Sequence, residues 1–358
     1  MIMSRLARSG RGGIVLLVAG LVAALVLPWL IYPPVALDIV CWALFAAAVD
    51  LLLGFTGLLS FGHAAFWGGS AYATGLIVLH GGLPFPVAII GGAVFAALLA
   101  LPIGYLSVRL TGIYFAMVTL AFAQMLYFLA NQWRGVTGGE NGLQGIPRDL
   151  LGLDLNDPFY FYYAGLPFVL LGLAAAWRIV RSPFGRVLVS IRDNPSRARA
   201  LGYPVERYRL LAFVLSAALA GVAGGVFAIG HGFASLDGLY WTTSGQVVMM
   251  VILGGIGTLW GGAIGAAIVV QLQDFLATAG FEGIGIVTGT IFIVIVLLFR
   301  RGIWGTVRHL IATRRTTPPL SSAADAGAAP AGSPEPAPAP ASPRPAGGSP
   351  DAAAGERC

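Results

Sequence analysis

The sequence predicts an all-α, polytopic transmembrane bundle with about 8–10 membrane segments, including broken or re-entrant helices. Three observations predict it. Hydrophobic residues make up 57% of the chain and charged ones 10%, against about 25% charged in ordinary soluble domains. Apolar runs of roughly 20 residues, the length that spans a bilayer core, recur up to Arg300. Glycine pairs at Gly68–Gly69, Gly254–Gly255 and Gly261–Gly262 interrupt or flank these runs, as in membrane helices that pack closely or break against protein.

The first element is a basic segment. Residues 1–13 carry Arg5, Arg8 and Arg11 and no acid, which places them in the cytoplasm. The run from Ile14 to Tyr32 is too long for a signal peptide and lacks a small-residue cleavage site, so it reads as a retained first span. Further spans follow at 35–53, 58–79, 86–107, 112–132, 159–179 and 210–230. The stretch 244–278 is apolar but broken by Gly254, Gly255 and Gly257, and a last span at 285–299 stops at Arg300 and Arg301. The membrane domain is therefore expected over 14–300, with 301–358 as a cytoplasmic tail. Beyond about 316 the tail is alanine- and proline-rich, with too little to bury to offset its ordering entropy, and is expected to be disordered.

Between Arg178 and Arg209 lie eight arginines against only Asp193 and Glu206. The positive-inside tendency makes this a cytoplasmic loop, 180–209, and parity agrees: six spans before it return the chain to the inner face. A hairpin between two spans needs far fewer residues, so the loop reads as a docking element. Within it, Asn194 is placed to cap a short helix with Pro195 at its first position. Gly202 suits a left-handed stop, with Pro204 just beyond it. Ala198 and Leu201 form an apolar stripe among arginines, fit for a partner's groove or for anionic membrane lipid.

The outer connection, Trp133 to Pro158, carries Glu140, Asp149, Asp154 and Asp157 against Arg134 and Arg148. Its length suits either a surface for an external partner or a solvated linker.

Composition excludes several functions. All 21 basic residues are arginine, so the chain lacks the phosphate-loop lysine and cannot hydrolyse ATP by that route. The net charge of +6 is a topology signal and no argument for nucleic acid. Cys41 lies in an apolar run, Cys358 ends the chain and the four histidines are scattered, so no metal, cofactor or disulfide framework is expected.

Two glycine-rich blocks are the candidates for chemistry. The first holds Gly57, Ser60, Gly62, His63 and Phe66, the second Gly254, Gly255 and Gly257. Interrupted apolar segments in corresponding halves point to a transport route at a repeat interface. Packing alone also produces such glycines, and His63 serves equally as a packing hydrogen bonder. Asp50, Ser60 and His63 contain the inventory of a hydrolytic triad, but no nucleophile elbow accompanies them.

The blocks LLLGFTGLLSFGHAAFWGGSAYA, TGGENGLQGIP, FGRVLVSIRDNPSRARALGYPVERYRLLAFVLSAALAGVAG and VILGGIGTLWGGAIGA resemble the LivM-type permeases of branched-chain amino acid ABC importers. The resemblance covers roughly 35–300. Asp50 departs from it, where a neutral polar residue is expected. The resemblance implies a coupling helix from Asp193 to Gly202, with Arg192, Asp193, Asn194, Arg197, Ala198, Arg199, Leu201 and Gly202 meeting an ATPase. It further implies a second permease subunit, two cytoplasmic ATPase subunits and a periplasmic substrate-binding protein, in a bacterial inner membrane with both termini cytoplasmic. The implied substrates are branched-chain amino acids, or urea, amides or other amino acids in sister families. A stand-alone channel or secondary transporter is the rival, and the spans carry little of the charge that ion coupling needs.

Overall fold

The computed structural model describes residues 10–148, 155–280 and 283–298. It is a bundle of helices. In chain order they are α1 (Gly10–Leu30), α2 (Pro33–Thr56), α3 (His63–Gly81), α4 (Phe85–Ser107), α5 (Ile113–Gln132) and the single turn α6 (Arg134–Thr137). Then come α7 (Pro158–Arg181), α8 (Pro183–Asp193), α9 (Pro195–Ala200) and α10 (Val205–His231), followed by α11 (Trp241–Gly254), α12 (Trp260–Thr278) and α13 (Ile284–Leu298). Among the described residues, α2, α4, α5, α7, α10 and α12 are long and apolar enough to cross a membrane, and α11 and parts of α1 and α13 are shorter apolar helices. Residues 1–9, Asp149, Asp154, and the tail with Arg300 and Arg301 lie outside the described residues.

Three of the helix starts share one chemical device. Asp157, Ser182 and Asn194 each accept a backbone N–H of the following turn, from Phe159 at 2.9 Å, Gly185 at 3.3 Å and Arg197 at 2.9 Å. Each is followed by a proline, whose missing N–H costs nothing at a helix start. Helix α2 stops where Gly57, at φ 74°, takes the left-handed conformation and returns its N–H to the Leu52 carbonyl.

Helix α2 is the axis. It is apolar all round and buried along almost its whole length, as a helix with no polar face must be. Helices α7, α8, α10 and α12 pack around it, and α10 also packs on α3 and α4. Hydroxyls bind the layers together: Ser70 donates to the Gly221 carbonyl at 2.5 Å and Thr74 to the Ala88 carbonyl at 3.3 Å. The outward faces of α4 and α5, with Ile90, Val94, Leu98, Met117 and Phe128, stay exposed, the surface a hydrocarbon solvent favours.

Contacts between helix ends define the two ends of the bundle. The start of α2 meets the end of α10 through Asp38 and His231 at 2.6 Å. A two-residue antiparallel ladder of β1 (Leu143–Gln144) and β2 (Phe233–Ala234) ties the exits of α5 and α10 at this same end. At the opposite, arginine-rich end, α8 meets the end of α2. The stretch 244–278 resolves into two helices, α11 and α12, joined at a break over 255–259 whose amides reach Asp50, near the end of α2.

Two helix starts differ by five residues from the sequence reading: α10, expected from 210, already begins at Val205. The span expected over 58–79 is helical only from His63. Residues 57–62 run non-helically because Gly57 turns the chain, and Ser60 then accepts the Gly62 N–H at 3.1 Å, holding it in a local turn.

Candidate functional site

The arginine-rich end is built from α8, α9 and two backbone breaks. In α9 the sequence logic is visible atom by atom. Asn194 caps it, Gly202 stands at φ 86°, and the Gly202 and Tyr203 amides return to the Arg199 and Ala198 carbonyls at 2.9 and 3.1 Å. Arg192, Asp193, Asn194, Arg197, Arg199, Leu201 and Gly202 are all exposed. Arg199 pairs with Glu206 at 2.7 Å, a half-exposed pair whose worth is about 0–1 kcal/mol.

Ala198 does not belong to that set. It is 2% exposed and packs with Ile191 and Val205 inside the chain. The stripe expected to join Ala198 to Leu201 is therefore divided: the alanine seats α9 on α8 and α10, while Leu201 points out, 70% exposed. The reason is the tight turn at Gly202, which carries the chain straight into α10 and folds that side of α9 inward. Sequence reading also missed that α8 is a helix in its own right, although Ser182–Pro183 is the same signal as Asn194–Pro195.

The two glycine-rich blocks meet at this end. Gly54 at the close of α2 faces Gly257 in the 255–259 break, where a Cβ on Gly54 would lie 2.5 Å from the Gly257 nitrogen, and Gly57 lies against the Arg192 side chain. Asp50, wholly buried, accepts the Gly257 N–H at 2.7 Å and the Leu259 N–H at 2.8 Å. Arg192 donates from Nη1 to the Gly54 carbonyl at 2.5 Å. Among the described residues Leu259 is the non-glycine at positive φ, 55°, a conformation that costs an ordinary side chain about 1–3 kcal/mol and is held here by the Asp50 carboxylate. Asp50 and Gly54 are one helical turn apart on α2, which brings both against the break.

The remaining candidates sit deeper. His63 offers Nε2 to Ser216 at 2.8 Å, and Ser216 donates onward to the Ala48 carbonyl at 2.5 Å. The serine proton is thus spent on Ala48, so the histidine supplies the other hydrogen from Nε2. Phe66 stacks edge-on to His63 and Phe213, and Gly62 lies against Thr119 of α5. The inventory Asp50, Ser60 and His63 is not assembled as a triad: each has a different partner. Ser60, Gly62, His63, Phe66, Gly254 and Gly255 are buried within this chain, while Gly57 is open to its surroundings and Gly257 partly so. A cavity of about 580 Å³ lies at the other end of the bundle, lined by Tyr127, Glu140, Gln144, Phe233 and Asp237 among others, and contains none of these candidates.

Six helices long and apolar enough to cross a membrane, a broken helix pair and an arginine-rich end together make the frame of a polytopic membrane protein. Residues 31–299 match the family described as branched-chain amino acid transport system / permease component, and the chain belongs to that family. It is 29% identical over 287 residues to the high-affinity branched-chain amino acid transport system permease protein LivM of Escherichia coli (strain K12), covering 73% of this chain and 68% of that one. To the LivM of Salmonella typhimurium it is 30% identical over 252 residues, 64% of this chain and 59% of the relative. To the autoinducer 2 import system permease protein LsrC of Klebsiella pneumoniae it is 36% identical over 155 residues, 40% of this chain and 44% of the relative. No solved structure matches. The chain is a multi-pass permease subunit of the ABC importer class, and that class implies partner ATPases and a substrate-binding protein.

Proposed function

We propose that this chain forms one half of an inner-membrane translocation path for leucine, isoleucine and valine, pairing with a second permease subunit. Of two cytoplasmic ATPases one seats against α9 and the exposed end of α8 and the other against the sister permease, and a periplasmic binding protein delivers substrate to the opposite end. The observation that carries the reading is the capped, exposed helix pair at the arginine-rich end, tied by Arg192 to a carbonyl of the central membrane helix. A docking surface joined to the core in this way passes a push from a partner into the membrane. Both termini and the loop 180–209 then face the cytoplasm.

The substrate route runs past the opening at Gly57 and Gly257. Ser60, Gly62, His63, Phe66, Gly254 and Gly255 back it from within the chain. Backbone dipoles at the broken ends meet an amino acid's carboxylate and ammonium without buried side-chain charge. The test is reconstitution in liposomes with the sister permease, the binding protein and ATP, with and without the ATPase subunits. Leucine uptake that requires all of them is the expected result. Uptake by this chain alone would replace the reading with a self-sufficient channel or secondary transporter.

A further inference from the structure

We infer that Asp50 is a positioning residue that locks the 255–259 break to the end of α2, so that the break moves with the arginine-rich loop as one body. This rests on the importer reading.

The geometry forms a continuous chain of contacts. Arg192, at the end of α8, grips the Gly54 carbonyl at 2.5 Å, and its side-chain stem lies where a Cβ on Gly57 would come within 2.9 Å. Gly54 is in direct backbone contact with Gly257, a Cβ on it lying 2.6 Å from the Gly257 Cα. The Asp50 carboxylate, one turn earlier on α2, takes the amides of Gly257 and Leu259. Three segments far apart in sequence, the ends of α2 and α8 and the break between α11 and α12, are thereby joined within a few residues of the docking face.

Neither side chain is replaceable on simple grounds. A buried carboxylate without donors is costly in a low-dielectric interior, and here two loop amides supply them. Those amides in turn have few alternatives. The break is non-helical, and Gly257 at φ 77° and Leu259 at φ 55° cannot return their N–H groups into a regular helical ladder. An amide side chain at position 50 keeps one acceptor oxygen and loses the other, so Asp50→Asn is a graded perturbation. Arg192 has a second partner, Asp193 at 3.1 Å, which orients the guanidinium from the solvent side.

A joint of this kind gives the break no independent freedom. Displacement of α9 by a partner reaches Gly54 through Arg192. It reaches the start of α12 through Asp50, without passing along the length of any membrane helix.

The experiment uses the reconstituted, fully assembled transporter carrying wild type, Asp50→Asn or Asp50→Ala. Two quantities are read: hydrogen exchange of the peptide containing Gly257 and Leu259, and leucine molecules moved per ATP hydrolysed. Loss of hydrogen bonds to a charged acceptor should raise exchange of that peptide by about tenfold or more in Asp50→Ala, with Asp50→Asn between. Transport per ATP should fall severalfold in the same order at equal assembly, a ratio that lowered abundance leaves unmoved. Unchanged exchange, or raised exchange with an unchanged ratio, would overturn the inference. A wild-type assembly with no ATP-driven uptake would instead overturn the importer reading, and the coupling role of Asp50 with it. Its exchange arm would still report whether the clamp exists.

Discussion

Substitution of Leu201 by alanine separates docking from folding. Leu201 is 70% exposed on a capped turn, so the isolated chain has little to lose at this position. Full burial of a leucine side chain is worth about 1.5–3 kcal/mol. With roughly 70% of that surface left for a partner to cover, Leu201→Ala should cost the docked complex about 1–2 kcal/mol. At 1.36 kcal/mol per decade, that weakens ATPase binding roughly six- to thirtyfold. The assay is titration of the ATPase subunits onto purified permease pair in nanodiscs, beside thermal unfolding of the permease pair alone. The expected pattern is a raised Kd with an unchanged Tm. The companion substitution, Ala198→Glu, should behave in the opposite way. It forces a carboxylate among Ile191, Val205 and Tyr208 at a cost of several kcal/mol, and so lowers the Tm before any partner is added. An unchanged Kd in Leu201→Ala, or a Tm drop equal to that of Ala198→Glu, would refute the assignment of the exposed face.

Four further outcomes are expected. Gly62→Leu should lower uptake far more than Gly135→Leu, because an added Cβ meets Thr119 at 2.8 Å in the first case and nothing within 4 Å in the second; equal losses in leucine uptake assays would dissociate this contact from transport. Ser216→Ala removes the bridge between His63 and the Ala48 carbonyl and should lower stability by about 1–3 kcal/mol, measured as a Tm shift of the purified permease pair. Cysteines at Gly139 and Ser196 should label from opposite faces of right-side-out and inverted vesicles, and labelling from one face alone would contradict the proposed orientation. Deletion of residues 317–358 should leave leucine uptake near wild type at equal membrane abundance.

Much of the fold was legible because local chemistry and membrane burial agree. Long apolar runs leave no other way to satisfy backbone groups than helices, and the pairs Asp157–Pro158 and Asn194–Pro195 mark helix starts without reference to anything distant. Gly57 was visible as a block member but not as the residue that ends α2, since a glycine in a membrane run signals close packing as readily as a turn. The fate of Ala198 was illegible for a different reason. Periodicity over six residues cannot say which side of a short helix faces home, and here the return at Gly202 decides it. Asp50 stood out as an unexpected charge, yet its acceptor role depends on two amides more than 200 residues away, and no local pattern carries that information.

The distance between Asp50 and its donors has a consequence for biosynthesis. Leu259 follows Asp50 by 209 residues, so at about 5–20 residues per second a ribosome delivers the second amide roughly ten to forty seconds after the carboxylate. Through that interval α2 is already made while α10 and α12, which enclose it in the finished bundle, do not yet exist. The most enclosed helix of the molecule is thus among the first to be synthesised and one of the last to be completed. Whatever shelters the Asp50 carboxylate in the meantime, water at the bilayer edge or the insertion machinery, acts on a chain that has no arrangement of its own to offer until its final third has been made.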